Sequence, residues 1–364
     1  MIENLVKQYI KKESYVMGGM PLSKAHEIYK LGEIEKLSAN ENQFGVSPKA
    51  VCAGVAILPE ANFYPDVEGY RITDKLCEQL GVEKNQILLT HGGTAALTMI
   101  GDVFLDKDDE VIMPVPTYQA YQNMIDKNGA VKKEVRTNDR YEVDLEAMLE
   151  AITPKTKMII LCNPNNPTGV YCSKEKVKEF LDRIPQNIIL LVDEAYIQFV
   201  ESPNASMVDC ISSDKNLIIV QTFSKVYGMA GFRLGYVLSN SEIIRALKVI
   251  WDPFSPNAIA LAAGAAALED YDFVNRTISE MIEGRRYLTE ELEAMGVKVY
   301  ASQTNFVSFD CGMKSDVLMR EILENSGVLI RGTFEKPRVT IGTMEQNRKF
   351  IEAMHRVMNQ QKER

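Results

Sequence analysis

From residue 86 to residue 239, short apolar runs alternate with amphipathic stretches. Ile87–Thr90, Glu110–Met113, Met158–Cys162, Ile188–Val192, Leu217–Gln221 and Leu234–Leu238 are Leu- or β-branched-rich, as strands buried on both faces of a sheet require. Between them Thr94–Phe104, Tyr118–Asn128, Asp144–Ala151 and Ser173–Arg183 carry helical spacing. Strands alternating with helices predict a mainly parallel α/β sheet. After Ser239 the rhythm changes. Glu242–Val249, Ala258–Glu269 and Phe273–Met295 are predicted helices. Strand-like Val297–Tyr300, Asn305–Phe309, Val328–Ile330 and Arg338–Ile341 follow, with helices near Ser315–Glu324 and Glu345–Met358. Thr343 and Gln346 fit a capping box at the start of the last helix.

The pattern divides the chain into an N-terminal arm (1–42), a large α/β domain (43–245) and a smaller α+β domain (246–364). The first 40 or so residues show no strand rhythm. They are expected to wrap onto the smaller domain or onto a partner chain. No repeat, low-complexity tract or Gly/Ser linker interrupts the chain.

Composition narrows the function classes. Of 364 residues, 46% are apolar and 25% charged, as in ordinary globular proteins. The net charge of −9, with no Lys/Arg block, disfavours nucleic acid as a partner. No apolar stretch reaches the roughly 20 residues of a membrane span, and no signal-peptide core is present at the start. Six scattered cysteines without a CxxC pair read as reduced thiols, which points to the cytosol. Three distant histidines give no support to a metal site.

In an open α/β sheet, ligands bind beyond the carboxyl ends of the strands, so the residues there carry the chemistry. His91-Gly-Gly-Thr94 opens a predicted helix; its glycines allow close backbone approach and its free N–H groups suit an anion. A tight strand–helix turn is the plainer alternative. Asn163–Gly169 is a turn stiffened by two prolines and carrying uncharged asparagines. Asp193-Glu-Ala-Tyr196 puts a carboxylate at a strand end, with an N-cap as its bland role. Thr222-Phe-Ser-Lys225 runs on to Arg233 through glycines and apolar residues. A lysine so placed can lose its charge through desolvation and neighbouring cations, which suits Schiff-base chemistry. A phosphate cradle, an imine-forming lysine, a carboxylate for a ring nitrogen and neutral donors for a ring oxygen together match pyridoxal 5′-phosphate. The GxGxxG and GxxxxGK[ST] alternatives are missing.

On these segments the chain resembles the fold-type-I pyridoxal-phosphate enzymes, and more closely the histidinol-phosphate aminotransferase family. The resemblance extends through Leu37–Asn42 with Ser47–Ala50, Tyr64–Asp66, Pro116–Tyr121, Asn163–Gly169 and Asp193–Tyr196. It continues through Thr222–Tyr236, Asn305–Val307, Gly327–Arg331 and Arg338–Thr343. It implies that Lys225 joins the cofactor aldehyde and shuttles the substrate proton, and that Asp193 pairs with the ring nitrogen. Asn166 and Tyr196 would bond the ring oxygen, and Tyr118 would stack on the ring. Gly92, Gly93, Thr94, Thr222, Ser224 and Arg233 would hold the phosphate. Tyr64 would reach it from a neighbouring subunit, implying a homodimer with shared sites. Arg338, Arg331, Tyr15 and Asn40 would bind substrate, one anion site serving both a phosphate monoester and a carboxylate.

The implied activity is transamination between histidinol phosphate, or an aromatic or other amino acid, and 2-oxoglutarate. A phospho-amino-acid decarboxylase, as in the related threonine-phosphate decarboxylases, is the alternative. The chain departs from the family at Gln43-Phe44 where a proline is usual, at Val226, at Thr94-Ala-Ala96 and in the short stretch 332–337. These departures bear on the amino donor rather than on the cofactor.

Overall fold

The computed structural model describes residue 5 and residues 20–212 and 214–363. In chain order, α1 (Leu22–Tyr29) and β1 (Glu35–Lys36) precede α2 (Pro48–Ala56) and α3 (Tyr70–Leu80). The α/β alternation then runs β2 (Ile87–Thr90), α4 (Gly93–Phe104), β3 (Glu110–Val115), α5 (Ala120–Lys127), β4 (Val131–Arg136), α6 (Leu145–Glu150) and β5 (Thr156–Cys162). It closes with α7 (Lys174–Arg183), β6 (Ile189–Asp193), β7 (Leu217–Thr222) and β8 (Gly235–Ser239). Then follow α8 (Ser241–Leu247), α9 (Ala258–Ala267), α10 (Tyr271–Ala294), β9 (Lys298–Val299), β10 (Phe306–Asp310), α11 (Ser315–Ser326), β11 (Val328–Leu329), β12 (Arg338–Thr340) and α12 (Met344–Glu363).

Strands β2 to β8 form one seven-stranded sheet in the order β2-β8-β7-β6-β5-β3-β4. Four of its neighbour pairs are parallel; β8 alone runs antiparallel, to both β2 and β7. The expected α/β architecture is therefore observed. Strands β2, β6, β7 and β8 are buried at every position, as their unbroken apolar runs require. Separate apolar clusters cover the two faces of the sheet. Helix α9, almost wholly apolar, adds Ala260, Leu261, Ala263, Ala265 and Ala267 to one of them.

Strand β4 escapes the apolar-run reading. Its sequence is Val-Lys-Lys-Glu-Val-Arg, because it is the sheet's edge, paired on one side only and largely solvated. The expectation that the first 40 residues hold no strand is corrected as well. Glu35–Lys36 pair in parallel with Val328–Leu329, and Leu37 joins the apolar cluster of the C-terminal elements. A two-residue strand is too short to show a period. The apolar pattern does not predict helices α1, α2 and α3 either, although Ser47 caps α2 by accepting from Ala50 N at 3.2 Å, with Pro48 in the first turn.

The second sheet, β12-β10-β9, is antiparallel and packs with α10, α11 and α12 around Phe306, Phe309, Leu318, Ile322 and Phe350. The capping box is present: Thr343 N donates to Gln346 Oε1 at 2.9 Å, and Gln346 N to Thr343 Oγ1 at 3.3 Å.

Candidate active site

The carboxyl ends of β5, β6 and β7 open into a cavity of about 310 Å³, which β12 and the residues after β1 also line. A cavity of about 510 Å³ near Glu142 and Arg183 is larger but contains none of the expected site residues. Chemistry, not size, marks the site.

Lys225 follows β7 on a turn that Thr222 organises. Ser224 N donates to Thr222 Oγ1 at 3.1 Å, and Thr222 Oγ1 donates to Ser224 Oγ at 2.9 Å. The Lys225 Nζ donates to the Asn40 carbonyl at 3.2 Å and lies 5.5 Å from the Tyr196 ring centre. Burial, reinforced by the Arg338 guanidinium, pushes its ammonium down to about 8. A sizeable share of neutral amine is therefore present near neutrality, as nucleophilic and proton-accepting roles demand.

Asp193 ends β6 and is buried. Tyr121 Oη donates to its Oδ2 at 2.8 Å and Ala195 N to its Oδ1 at 3.1 Å. Burial raises its carboxyl above the usual range, and the Tyr121 hydrogen bond opposes that shift. A protonated ring nitrogen would complete this carboxylate's environment. Tyr121 carries no expected role in the sequence reading, yet it follows Tyr118 by three positions, so both project from one side of the turn entering α5. Their rings meet edge-on at 5.6 Å.

Tyr196 Oη accepts from Asn40 Nδ2 at 2.9 Å and from Asn166 Nδ2 at 3.5 Å. Burial drives its phenol up, so it remains a neutral donor. Asn166 Oδ1 accepts from Arg338 Nη1, and Arg338 Nη2 donates to the Ser38 carbonyl at 3.3 Å. Arg338 is buried, its Nε has no partner in the protein, and burial lowers it to about 10. An unpaired guanidinium N–H beside the cavity suits an incoming anion. Arg331 lies opposite Arg338 through backbone hydrogen bonds of 2.9 and 3.1 Å. The Phe334 ring, from the short stretch 332–337, has the Arg331 guanidinium 5.6 Å and the Arg338 guanidinium 5.2 Å from its centre.

The phosphate cradle has the geometry its glycines predict. Gly92 has φ +77°, and a Cβ there would stand 2.5 Å from Arg233 Nη2. Helix α4 begins at Gly93 with no side chain capping its first N–H groups. Gly93, Thr94, Thr222, Ser224 and Arg233 line the same cavity, with Tyr118 across from them. Gly235 opens β8 opposite both Thr90 and Thr222; a Cβ on it would lie 3.0 Å from the Gly92 carbonyl carbon and from Gly93 N. These residues fit pyridoxal 5′-phosphate: an uncapped helix start and Arg233 for the phosphate, a buried carboxylate for the ring nitrogen, and a half-buried lysine between them.

The structure thus brings together Lys225, Asp193, Tyr196, Asn166, Tyr118, Gly93, Thr94, Thr222, Ser224, Arg233, Asn40, Arg331 and Arg338, with Gly92 adjoining. Tyr64 does not line the cavity of its own chain. It is 80% exposed and stacks at 4.4 Å on Phe254. Tyr15 lies outside the described residues. Among the described residues no cluster of His, Cys, Asp or Glu could hold a metal ion, and no helix is long and apolar enough to cross a membrane.

Comparison with known proteins agrees with this geometry. Residues 33–354 match the family model for aminotransferase class I and II. The chain is 36% identical over 354 residues to a histidinol-phosphate aminotransferase of Symbiobacterium thermophilum, covering 96% of this chain and 97% of that protein. It is 32% identical over 361 residues to histidinol-phosphate aminotransferase 2 of Carboxydothermus hydrogenoformans, covering 97% and 99%. Its fold superposes with a TM-score of 0.90 on a crystal structure of histidinol-phosphate aminotransferase from Sinorhizobium meliloti in complex with pyridoxal-5′-phosphate, at 24% identity and 98% coverage of both chains.

Proposed function

Because this chain belongs to the aminotransferase class I and II family, we propose that it moves the amino group of histidinol phosphate to 2-oxoglutarate. It is an aminotransferase of fold type I, and such enzymes work on pyridoxal 5′-phosphate. The observation that supports the donor is the pairing of Arg338 and Arg331 in the cavity that holds Lys225, in a chain similar along almost its whole length to histidinol-phosphate aminotransferases. Two guanidinium groups suit a phosphate monoester, and the same fork accepts a carboxylate. The decarboxylase alternative gains nothing from these relatives.

When bound, pyridoxal 5′-phosphate supplies an aldehyde for amines and a ring that accepts the electron pair left by a departing proton. The rest falls to the protein. Gly93, Thr94 and Arg233 would anchor the phosphate at the start of α4. Asp193, oriented by Tyr121, would keep the ring nitrogen protonated. Asn166 and Tyr196 would hold the ring oxygen with neutral groups. Lys225 Nζ would accept the proton leaving the substrate carbon and return it one position away. Arg338 and Arg331 would hold the distal anion, fixing which C–H bond faces Lys225. We further propose that two copies pair, the exposed Tyr64 of each approaching the other's cavity, and that the segments 43–245 and 246–364 act as separate lobes around the site.

Single-turnover spectra test the donor. Histidinol phosphate should convert the bound cofactor to its amine form at least about tenfold faster per unit concentration than phenylalanine, which lacks the phosphate; equal rates, or none, would refute the assignment. The pH dependence follows from Lys225. Its neutral amine is the nucleophile, so cofactor uptake by the apo-protein should rise about tenfold per pH unit below a midpoint near 8 and level off above it. Stopped-flow absorbance reads this directly, and a flat profile from pH 6 to 9 contradicts it.

A further inference from the structure

Asn40 is buried with φ +55°, a backbone conformation that non-glycine residues seldom adopt. Five hydrogen bonds with four residues, Tyr196, Lys225, Asn305 and Thr340, hold it there, one of them donated by Thr340 Oγ1 to Asn40 Oδ1 at 3.4 Å. Its N–H donates to Thr340 Oγ1 at 2.9 Å, and its Nδ2 donates to Tyr196 Oη at 2.9 Å. Its carbonyl accepts twice, from Asn305 Nδ2 at 3.0 Å and from Lys225 Nζ at 3.2 Å. A carbonyl oxygen has two lone pairs and can serve both donors.

Asn305, just before β10, is fully buried, and its Oδ1 has no hydrogen-bond donor. A buried, unpaired acceptor is unfavourable and calls for an explanation. Turning the amide over would set its oxygen against the Asn40 carbonyl, acceptor to acceptor. The observed orientation therefore gives up one hydrogen bond of Asn305 so that Asn40 O keeps a fixed donor.

We propose that Asn305 and Thr340 are positioning residues that fix Asn40, whose backbone carbonyl is the resting place of the Lys225 amine whenever that amine is not joined to the cofactor. This rests on the cofactor chemistry proposed above and extends it to the released lysine. Lys225 is also faced by Arg338 from β12, Arg233 after β7, Asp193 at the end of β6 and Glu41 beside Asn40. Arg338 and Arg233 disfavour its charge, while Asp193 and Glu41 favour it. The Asn40 carbonyl favours the ammonium as well, by accepting its N–H. A displaced carbonyl should consequently lower the pH at which the amine becomes neutral.

The test follows pyridoxal 5′-phosphate uptake by the apo-protein across pH 6 to 10, with borohydride trapping at Lys225 as a check. Asn305→Leu should lower the uptake midpoint by about half a pH unit, a threefold change in the ammonium-to-amine ratio. Its kcat should fall about tenfold with little change in KM. Thr340→Val should shift the midpoint the same way, and Thr340→Ser, which keeps the hydroxyl, should restore it. Unmoved midpoints in folded Asn305→Leu and Thr340→Val overturn the proposal, as does a Thr340→Ser shift equal to that of Thr340→Val. Should Asn305→Leu not fold, the Thr340 pair decides. Wild-type protein that takes up no cofactor at Lys225 overturns the cofactor chemistry as well; uptake with unmoved midpoints overturns this proposal alone.

Discussion

Lys225→Ala should abolish covalent retention of pyridoxal 5′-phosphate and lower transamination by about 10⁴-fold, the upper range for a group that transfers the reacting proton. The cofactor phosphate would still find Gly93, Thr94 and Arg233, so weak non-covalent binding should survive. That separation is the informative part. Lys225 follows β7, whereas Gly93 and Thr94 belong to the turn entering α4, so removing the amine leaves that part of the seat standing. Absorbance after gel filtration reports retention, and steady-state rates report turnover. A Lys225→Ala protein with full turnover would end the mechanistic assignment.

Arg338→Ala should lower kcat/KM for an anionic donor by about 100-fold, corresponding to about 3 kcal/mol for a buried, hydrogen-bonded charge contact. The loss has two sources: the anion loses its fork, and Asn166 Oδ1 loses the guanidinium it accepts from. Arg338→Lys restores the charge but neither the fork nor the planar stacking near Phe306 and Phe334, so it should recover only about tenfold. An uncharged amine donor does not use the fork, so it should lose only the smaller part that passes through Asn166. Equal losses for charged and uncharged donors would show that Arg338 supports the cavity's shape rather than binding the anion.

The strands that carry the site were legible because they are interior. Ile87–Thr90 coincides with β2, and the runs ending at Cys162, Val192 and Gln221 end within one residue of β5, β6 and β7. A strand with protein on both faces must be apolar throughout, and that signal survives without knowledge of partners. Lys225, Asp193 and Asn166 were legible for a related reason, being reactive residues stranded among glycines, prolines and apolar neighbours just past those runs. What stayed hidden depends on tertiary pairing. The edge strand Val131–Arg136 looks like surface because half of it is. Glu35–Lys36 becomes a strand only by meeting Val328–Leu329 far along the chain. Tyr121 and Asn305 look like core residues, and their part in the site emerges only once Asp193 and Asn40 are seen at the other ends of their hydrogen bonds. Phe334 lies in a stretch notable in sequence only for its brevity, and its position against two arginines is a matter of folding.

The reversed direction of β8 has a consequence for how the seat keeps its dimensions. Because that strand starts where β2 and β7 finish, one residue, Gly235, serves as the spacer between the backbone that would receive the phosphate and the backbone that leads to the reactive amine. The width of the seat is thus gauged by a single hydrogen atom in place of a side chain, and a methyl group added there would act as a wedge, prising apart two halves that lie far apart along the chain.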